Sequence, residues 1–281
     1  MKIAVTGATG KLGTLVIEKL KERTTKANII ALARTPEKAS DLDVEVRAFD
    51  YGNATQMTSS LEGVDKLLLI SGSELGQRLE QHSNIISAAK GAGVKSIAYT
   101  SLLKADKSSL SLAPEHLGTE KVLEESGIPF TLLRDGWYTE NYTDSLKDTL
   151  ALGTLYGSAG DGKIASATRE DFAEAAAIIL TTDGHEGKTY ELAGDEFFTM
   201  KDYANEISKQ TGKAITYVNL PEAEYAKALQ SAGVPTPIAE FLAGSHTSTA
   251  NGDLFNDGHQ LSVILGRPTI PLSKTIAEVL A

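Results

Sequence analysis

The sequence contains no cysteine among its 281 residues. Without a thiol the chain can form no disulfide, no thiolate nucleophile, no iron–sulfur cluster and no cysteine-ligated zinc site. A reducing compartment fits this composition, although the absence of cysteine does not by itself fix the location. We therefore expect a cytoplasmic protein, and we identify no metal site in the sequence.

Positive charge is also in short supply, since Lys and Arg total 27 against 37 Asp and Glu and the formal net charge is −10. Binding to nucleic acid requires clustered cations that neutralise phosphates. Long apolar stretches are missing as well, and none reaches the length of a membrane span. The chain begins with an apolar strand pattern instead of the basic region and apolar core of a signal peptide. We expect neither a nucleic-acid partner nor a membrane span.

The segment TGATGKLG places three glycines, Gly7, Gly10 and Gly13, between two segments of different periodicity. Residues 2–6 are apolar and β-branched, which is typical of a buried parallel strand. Residues 11–23 have apolar side chains at helical spacing, which predicts an amphipathic helix. In such a unit the glycines make the tight turn, admit a ligand to the backbone and let the helix pack closely on the strand.

The N–H groups at the start of this helix favour a pyrophosphate. A glycine-rich turn without a ligand is the alternative. The residues of the expected phosphate site are Gly7, Ala8, Thr9, Gly10, Lys11, Leu12 and Gly13.

The second predicted strand, residues 28–33, ends at Arg34. Enzymes that use NAD usually carry an acid at this point, which binds the ribose 2′-hydroxyl. A guanidinium instead binds a 2′-phosphate through charge-assisted hydrogen bonds. Arg34 therefore favours NADP(H) over NAD(H), unless it is an ordinary exposed cation at a strand end.

Strand and helix patterns alternate as far as residue 134. Strands are predicted at residues 44–49, 66–70, 96–101 and 130–134, and helices at 77–92 and 115–126. This alternation predicts an α/β protein with a Rossmann-type, doubly wound parallel sheet and a ligand crevice at the carboxyl ends of the strands. We expect an NADP-binding domain over residues 1–135. Residues 136–281 are expected to form a smaller, mixed α/β, substrate-binding lobe with segments that return to the main domain.

Six segments carry a family resemblance: TGATGKLG, LLLISGSELGQR, IAYTSLLKAD, LRDGWYTENY, GDGKIASATREDFAEAAA and HEGKTYELAG. They resemble the bacterial NAD(P)H:quinone oxidoreductase type 2 family, a branch of the NmrA-like atypical short-chain dehydrogenase/reductases. The resemblance extends over essentially the whole chain. It implies an oxidoreductase that reduces a small-molecule quinone with NADPH and without a bound flavin.

The resemblance also implies which residues lie near the cofactor. Asp50 and Tyr51 are expected near the adenine, and the small residues Ser71, Gly72 and Ser73 beneath the nicotinamide half. Beside the nicotinamide and the substrate we expect the segment Gly136, Trp137, Tyr138, Thr139, Glu140 and Asn141, together with Arg169. Packing between the two lobes is the alternative role of Trp137. Arg169 could instead cap the adjoining structure through Glu170 or Asp171.

Short-chain reductases that act on alcohols and ketones usually present Tyr-x-x-x-Lys, in which the tyrosine protonates the substrate oxygen. Counting back four residues from Lys121 reaches Leu117, which cannot donate a proton. Lys121 is expected to keep the usual role of the lysine in this motif, which is to hold the nicotinamide ribose. His116 is a substitute donor or a structural histidine. Reduction of a quinone does not require the tyrosine phenol, because a quinone accepts hydride readily. Catalysis would then rest on proximity and orientation.

Two further interpretations remain open. The NmrA-like group includes non-catalytic NADP(H)-binding redox sensors that regulate transcription, and Leu117 keeps that alternative open. A sugar-nucleotide epimerase shares the early motifs but normally needs the missing tyrosine.

The polar, glycine-rich residues 244–253 are expected to form a mobile loop beside the substrate. A homo-oligomer is compatible with the sequence.

Overall fold

Seven parallel strands form the main sheet of the computed structural model, which describes residues 1–74 and 76–281. The strands are β1 (Ile3–Val5), β2 (Ile29–Ala33), β3 (Glu45–Ala48), β4 (Lys66–Leu69), β5 (Ser96–Leu102), β6 (Phe130–Asp135), β7 (Thr154–Gly157), β8 (Thr189–Leu192) and β9 (Thr216–Asn219). Their order in the main sheet is β3-β2-β1-β4-β5-β6-β8, while β7 and β9 form a separate parallel pair. The predicted fold class is confirmed.

Helices cover both faces of this sheet. They are α1 (Lys11–Lys21), α2 (Ala54–Ser60), α3 (Arg78–Ala92), α4 (Ala113–Ser126), α5 (Glu140–Thr143), α6 (Leu146–Leu152), α7 (Arg169–Thr181), α8 (Met200–Thr211), α9 (Glu222–Ser231), α10 (Thr236–Ala250), α11 (Gln260–Leu265) and α12 (Leu272–Leu280). Short 3₁₀ turns precede β2 and β3. In the described parts of the chain, no helix combines the length and the apolar character that a membrane crossing requires.

The strands are apolar because both of their faces are buried. In β1 the side chains alternate, so that Ile3 and Val5 belong to the core under α1 and α7, whereas Ala4 belongs to the core under α3 and α4. Phe172 fills the first core and Tyr99 the second. Chain order reverses between β1 and β4, and the carboxyl ends of these two strands therefore border a crevice.

The chain leaves the main sheet after β6 and returns to it with α7 and β8. Between and after these elements, β7, β9 and several helices enclose a third core around Leu146, Ile164, Tyr203 and Ile276. The smaller lobe therefore has its own apolar interior. The division at residue 135 stays a prediction, because segments of the second half complete the main sheet.

The prediction of a mobile loop at residues 244–253 is wrong, since most of this stretch belongs to α10. Its hydroxyl groups do not disrupt the helix, because they donate to carbonyls of the preceding turn. Ser245 Oγ donates to the carbonyl of Leu242 at 2.7 Å, and Thr249 Oγ1 donates to the carbonyl of Ser245 at 2.8 Å. Both side chains are buried, and polarity here marks an internal helix face.

Within α3 the structure buries Ile85, Ile86 and Ala89 as the pattern predicts, but it leaves Leu79 40% exposed. The buried positions of the first turns are taken by polar side chains, among them Arg78 and His82. These side chains bind the loop after β4, which explains why the apolar pattern fails there.

Gly244 provides a test of the helical assignment of α10. A Cβ atom at Gly244 would meet nothing within 4 Å, and the residue does not have positive φ. Because alanine is the better helix former, we expect Gly244→Ala to raise the free energy of unfolding by up to about 1 kcal/mol. Urea unfolding followed by circular dichroism measures the change.

Gly127 is the matched control, since its Cβ would also meet open space but its φ is +76°. Gly127→Ala should lower the free energy of unfolding by about 1–2 kcal/mol, because a side chain is strained in the left-handed region. Equal losses at the two positions would contradict a helix around Gly244.

Candidate functional site

A cleft with a volume of about 560 Å³ lies at the carboxyl ends of β1, β2, β3 and β4. It contains most of the predicted cofactor residues. They are Gly7, Thr9, Gly10, Lys11, Leu12, Gly13, Arg34, Asp50, Tyr51, Ser71, Gly72, Ser73, Tyr138 and Arg169. Ala8 is the exception within the glycine turn, because it is fully buried in the core and its N–H is bound to the carbonyl of Leu32.

The glycine turn has the geometry that a bound pyrophosphate requires. Gly7 has a φ of +59°, and a Cβ atom on Gly13 would lie 2.2 Å from the Gly7 carbonyl oxygen. Helix α1 starts at Lys11 without a side-chain cap. Among the described residues, the N–H groups of Leu12 and Gly13 have no hydrogen-bond acceptor. These donors and the positive end of the helix dipole are available to an anion in the cleft.

Arg34 follows β2 directly and is 71% exposed at the edge of the cleft. Its Nη1 atom lies 3.4 Å from Oε1 of Glu74, a residue that lines the same cleft. Asp50 also lines the cleft, and its carboxylate accepts the N–H of Gly52 at 3.0 Å. The guanidinium therefore has both the position and the freedom to bind a phosphate.

The floor of the cleft is held by hydrogen bonds between strand ends. The Tyr51 hydroxyl lies 2.6 Å from Thr6 Oγ1 and donates to the carbonyl of Ile70 at 2.9 Å. Thr6 Oγ1 also accepts the N–H of Ile70 at 2.9 Å. Burial raises the pKa of the Tyr51 hydroxyl, so the phenol remains neutral. Tyr51 thus fixes the ends of β1 and β4 while its ring faces the cleft.

The loop after β4 is fixed by side chains of α3 and α4. His82 Nε2 accepts the N–H of Gly72 at 3.0 Å, and its Nδ1 lies 3.0 Å from Thr119 Oγ1. Burial, with a smaller effect of Arg78, lowers the pKa of His82 to about 3. Arg78 Nε donates to the carbonyl of Gly72 at 2.9 Å. A neutral histidine and a buried arginine therefore hold the N–H and the carbonyl of Gly72.

A second cavity, of about 710 Å³, continues from the cleft toward the smaller lobe. Ser71, Tyr138 and Arg169 line both, and they therefore mark the junction between the two spaces. The wall of the second cavity is largely apolar and aromatic. It includes Leu102, Leu112, Trp137, Tyr142, Leu155, Tyr156, Met200, Tyr203, Tyr225, Leu229, Phe241, Leu242 and Leu254.

Arg169 is held rigidly at the junction. Its Nη2 donates to Asn141 Oδ1 at 2.8 Å, its backbone N–H donates to the carboxylate of Glu140, and its guanidinium stacks on Tyr138 at 4.4 Å. Nη1 is buried and has no hydrogen-bond partner in the described structure, although Glu140 Oε2 lies 3.4 Å away. A buried donor without an acceptor at this point fits a polar group of a dinucleotide. The side chain does not cap through Glu170 or Asp171.

Trp137 both packs and lines the site. Its half-buried side chain lies against the core of the smaller lobe and against the cluster around Leu254. It also forms part of the wall of the second cavity, next to Gly136. The N–H of Gly136 donates to the carbonyl of Leu192 at 2.8 Å, and a Cβ atom there would lie 3.0 Å from that oxygen. Trp137 can therefore pack between the two lobes and line the site at the same time.

His116 lies inside the second cavity on α4, and it is 4% exposed. Its Nδ1 is 2.8 Å from the hydroxyl of Tyr99, which is itself buried. Burial, together with the charge of Arg78, lowers the pKa of His116 to about 3. The imidazole is neutral at pH 7 and can donate or accept a hydrogen bond, but it carries no acidic proton to transfer.

The structure does not bring Lys121 to the site, which corrects the sequence-based expectation. Its side chain is 75% exposed and lies 3.9 Å from Glu125, and Leu117 is 42% exposed on the same outer side. A helix turns 100° per residue, so positions 116 and 120 face inward when 117 and 121 face outward. Glu120 occupies the inner position and binds Arg134 at 2.7 Å.

Asp135 is a site residue that the sequence analysis missed. It is the last residue of β6, it is 6% exposed, and its side chain lines the second cavity. Burial raises the pKa of its carboxyl group well above the usual value. The signal in the sequence was an acid directly after the predicted strand at residues 130–134.

Comparison with known proteins identifies the family. Residues 1–278 match the NmrA-like family. Quinone oxidoreductase 2 of Escherichia coli (strain K12) is 53% identical over 280 residues, which cover 99% of this chain and 98% of that protein. The crystal structure of an NADPH-dependent quinone oxidoreductase from Escherichia coli, complexed with NADPH, has a TM-score of 0.98 and 52% identity, and covers 99% of this chain and 100% of that one.

A second solved structure, the triphenylmethane reductase of Citrobacter sp. complexed with NADP(H), is 38% identical with a TM-score of 0.96, over 99% of this chain and 100% of that one. The negative transcriptional regulator NmrA is 16% identical and shares the fold alone. The match to the family and the identity to a relative of nearly equal length agree with the resemblance seen in the sequence, and the chain belongs to the NmrA-like family.

Proposed function

We propose that this protein is an NADPH-dependent quinone oxidoreductase that works without a bound flavin. The observation that carries the proposal is the direct connection between the cleft and the second cavity at Ser71, Tyr138 and Arg169. A dinucleotide laid along the strand ends would present its reactive end to an apolar chamber. The similarity to a quinone oxidoreductase over the full chain supports the same conclusion.

The residues present fit NADPH. The glycine turn and the start of α1 would hold the pyrophosphate, and Arg34 the 2′-phosphate. Asp50 and Tyr51 line the cleft, and they would lie beside the adenine. The free Nη1 donor of Arg169 lies at the opposite end. The predicted roles of Lys121 and Ala8 are not part of this proposal, because their side chains point away from the cleft.

NADPH supplies a hydride when bound, and the chain supplies position and exclusion of water. Trp137 and Tyr138 offer aromatic surfaces to a flat ring. Asn141 holds Arg169 in place, and the neutral imidazole of His116 can hydrogen-bond a quinone oxygen. Rigid placement of two reactants in one chamber is a large part of the rate enhancement that such a reaction requires.

A cytoplasmic location and the absence of a nucleic-acid partner remain predictions from composition. A homo-oligomer also remains a proposal, and size-exclusion chromatography with light scattering would test it.

Turnover is the first test. The purified protein, mixed anaerobically with NADPH and a small quinone, should consume NADPH without added flavin and should consume NADH much more slowly. Loss of reduced-nicotinamide absorbance follows the reaction. Tight binding of NADPH without any turnover would instead support a redox sensor of the NmrA type.

Replacement of Arg34 tests the choice of cofactor. Arg34→Ala should weaken NADPH binding roughly ten- to a hundredfold and leave NADH binding nearly unchanged, since a charge-assisted hydrogen bond contributes about 1.5–3 kcal/mol. Glu74→Gln should strengthen NADPH binding, because it removes the carboxylate that pairs with Arg34. Isothermal titration calorimetry measures both, with the exposed Arg23→Ala as control. Equal losses for the two cofactors in Arg34→Ala would exclude this role.

The only tryptophan, Trp137, would report on the nicotinamide end of the bound cofactor. Because Trp137 lines the cavity beside Tyr138, NADPH should quench its fluorescence in a saturable titration. In Arg34→Ala the midpoint of the titration should shift to higher NADPH concentration while the full quench is retained. A constant signal during demonstrated binding would restrict Trp137 to packing.

A further inference from the structure

Asp135 has no structural partner that would explain its burial. Arg134, the preceding residue, binds Glu120, Glu191 and Asp106 with its guanidinium. Side chains alternate along a strand, and Asp135 therefore points to the opposite face from this ion-pair network. Its carboxyl group accepts no hydrogen bond from the described residues, and its side chain lines the second cavity. The Asp135 carboxyl group, which has no hydrogen-bond donor among these residues, therefore faces the molecule that occupies the cavity.

The cations around the cavity already have other partners. Arg78 Nη1 donates to Glu115 at 2.9 Å, and Arg169 is paired with Glu140. Beyond the end of β5, Lys104 Nζ donates to the carbonyl of Gly252 at 3.1 Å. None of these cations stabilises an ionised Asp135 directly, so burial favours its protonated form.

The remaining ionisable groups around the cavity do not favour a charged carboxyl group either. His116 and His246 are neutral, because burial lowers the pKa of His116 to about 3 and that of His246 to about 4. Burial keeps the phenol of Tyr138 protonated. Asp144, at the mouth, is bound to Lys11 at 2.6 Å, and Glu191 of β8 is bound to Arg134. Among these groups, the carboxyl group of Asp135 is therefore the one whose burial favours a protonated acid.

We propose that the carboxyl group of Asp135 donates the proton that completes quinone reduction, a role that rests on the proposed function. Addition of a hydride to a quinone delivers two electrons and one hydrogen nucleus, and it leaves a hydroquinone monoanion. The O–H bond of Asp135 then breaks, and a new O–H bond forms on the hydroquinone oxygen. Asp135 is left as a carboxylate, which solvent reprotonates when the product has departed.

His116 cannot be the proton donor. Its neutral ring would have to give up an N–H proton and become an anion, whereas a carboxylic acid gives up its proton to become an ordinary carboxylate. His116 is a hydrogen-bonding and positioning residue, held by the Tyr99 hydroxyl. The two groups therefore divide the work between orientation of the quinone and transfer of the proton.

The first experiment examines the protonation of Asp135 in the protein without added cofactor. Infrared difference spectra between the wild type and Asp135→Asn at pH 7 should show the C=O stretch of a protonated carboxyl group, present in the wild type and absent from the variant. Asp183→Asn, an exposed acid in the turn before β8, is the control and should retain the band. Absence of the band from the wild type would overturn the proposal.

The second experiment measures turnover against pH. In the wild type kcat should fall as pH rises through the elevated pKa of Asp135, because the acid form is the active one. In Asp135→Asn kcat should be lower by roughly ten- to a hundredfold and should no longer show this decline. NADPH affinity should stay within about twofold. Asp135→Ser, which lacks both the acid and the bulk, should behave in the same way if the Asn variant fails to fold.

The outcomes separate the two proposals. A wild type that binds NADPH but reduces no quinone would overturn the proposed function. A wild type that turns over normally, with unchanged kcat and pH profile in both Asp135 variants, would overturn only the role of Asp135. Loss of kcat together with the pH dependence, at constant NADPH affinity, would support it.

Discussion

The cofactor cleft depends on how closely helix α1 approaches the end of strand β1. Gly13 lies against the Gly7 carbonyl at a distance that no side chain permits, since a Cβ atom would come within 2.2 Å of that oxygen. This contact directs the first N–H groups of α1 along the strand ends. Lys11, the first residue of α1, lies 2.6 Å from Asp144, in the segment that follows β6 and borders the second cavity. An ion pair therefore links the start of the helix at the phosphate site to the wall of that cavity.

Sequence reasoning succeeded where local pattern and burial coincide. Strands β1 and β2 are buried on both faces, and such strands are apolar throughout, so their position and their direction in a parallel sheet were predictable. Strands β7 and β9 were harder, because they form a two-stranded pair whose residues are mostly half-exposed or exposed. A pattern that depends on burial carries little information where burial is partial.

The errors arise where tertiary packing decides which side chains of a helix are buried. Lys121 was taken as the lysine of a Tyr-x-x-x-Lys motif, yet the inner face of α4 carries His116 and Glu120. Around Gly244, serine and threonine hydroxyls suggested a loop, but in α10 they bond to carbonyls of their own helix and lie buried. Tertiary packing decides which side of a helix faces a cavity. The amino-acid composition of the helix does not reveal that side.

The environment of the second cavity acts on its ionisable groups in opposite directions. Burial disfavours every charge, so it lowers the pKa of His116 and His246 while it raises the pKa of Asp135. Neutral imidazoles and a buried carboxyl group that favours its protonated form suit a neutral, planar substrate. The same low polarity penalises a hydroquinone anion more than it penalises the quinone. Reduction therefore creates a charge in the chamber, and the proposed transfer of the Asp135 proton neutralises the hydroquinone and leaves a carboxylate that solvent reprotonates.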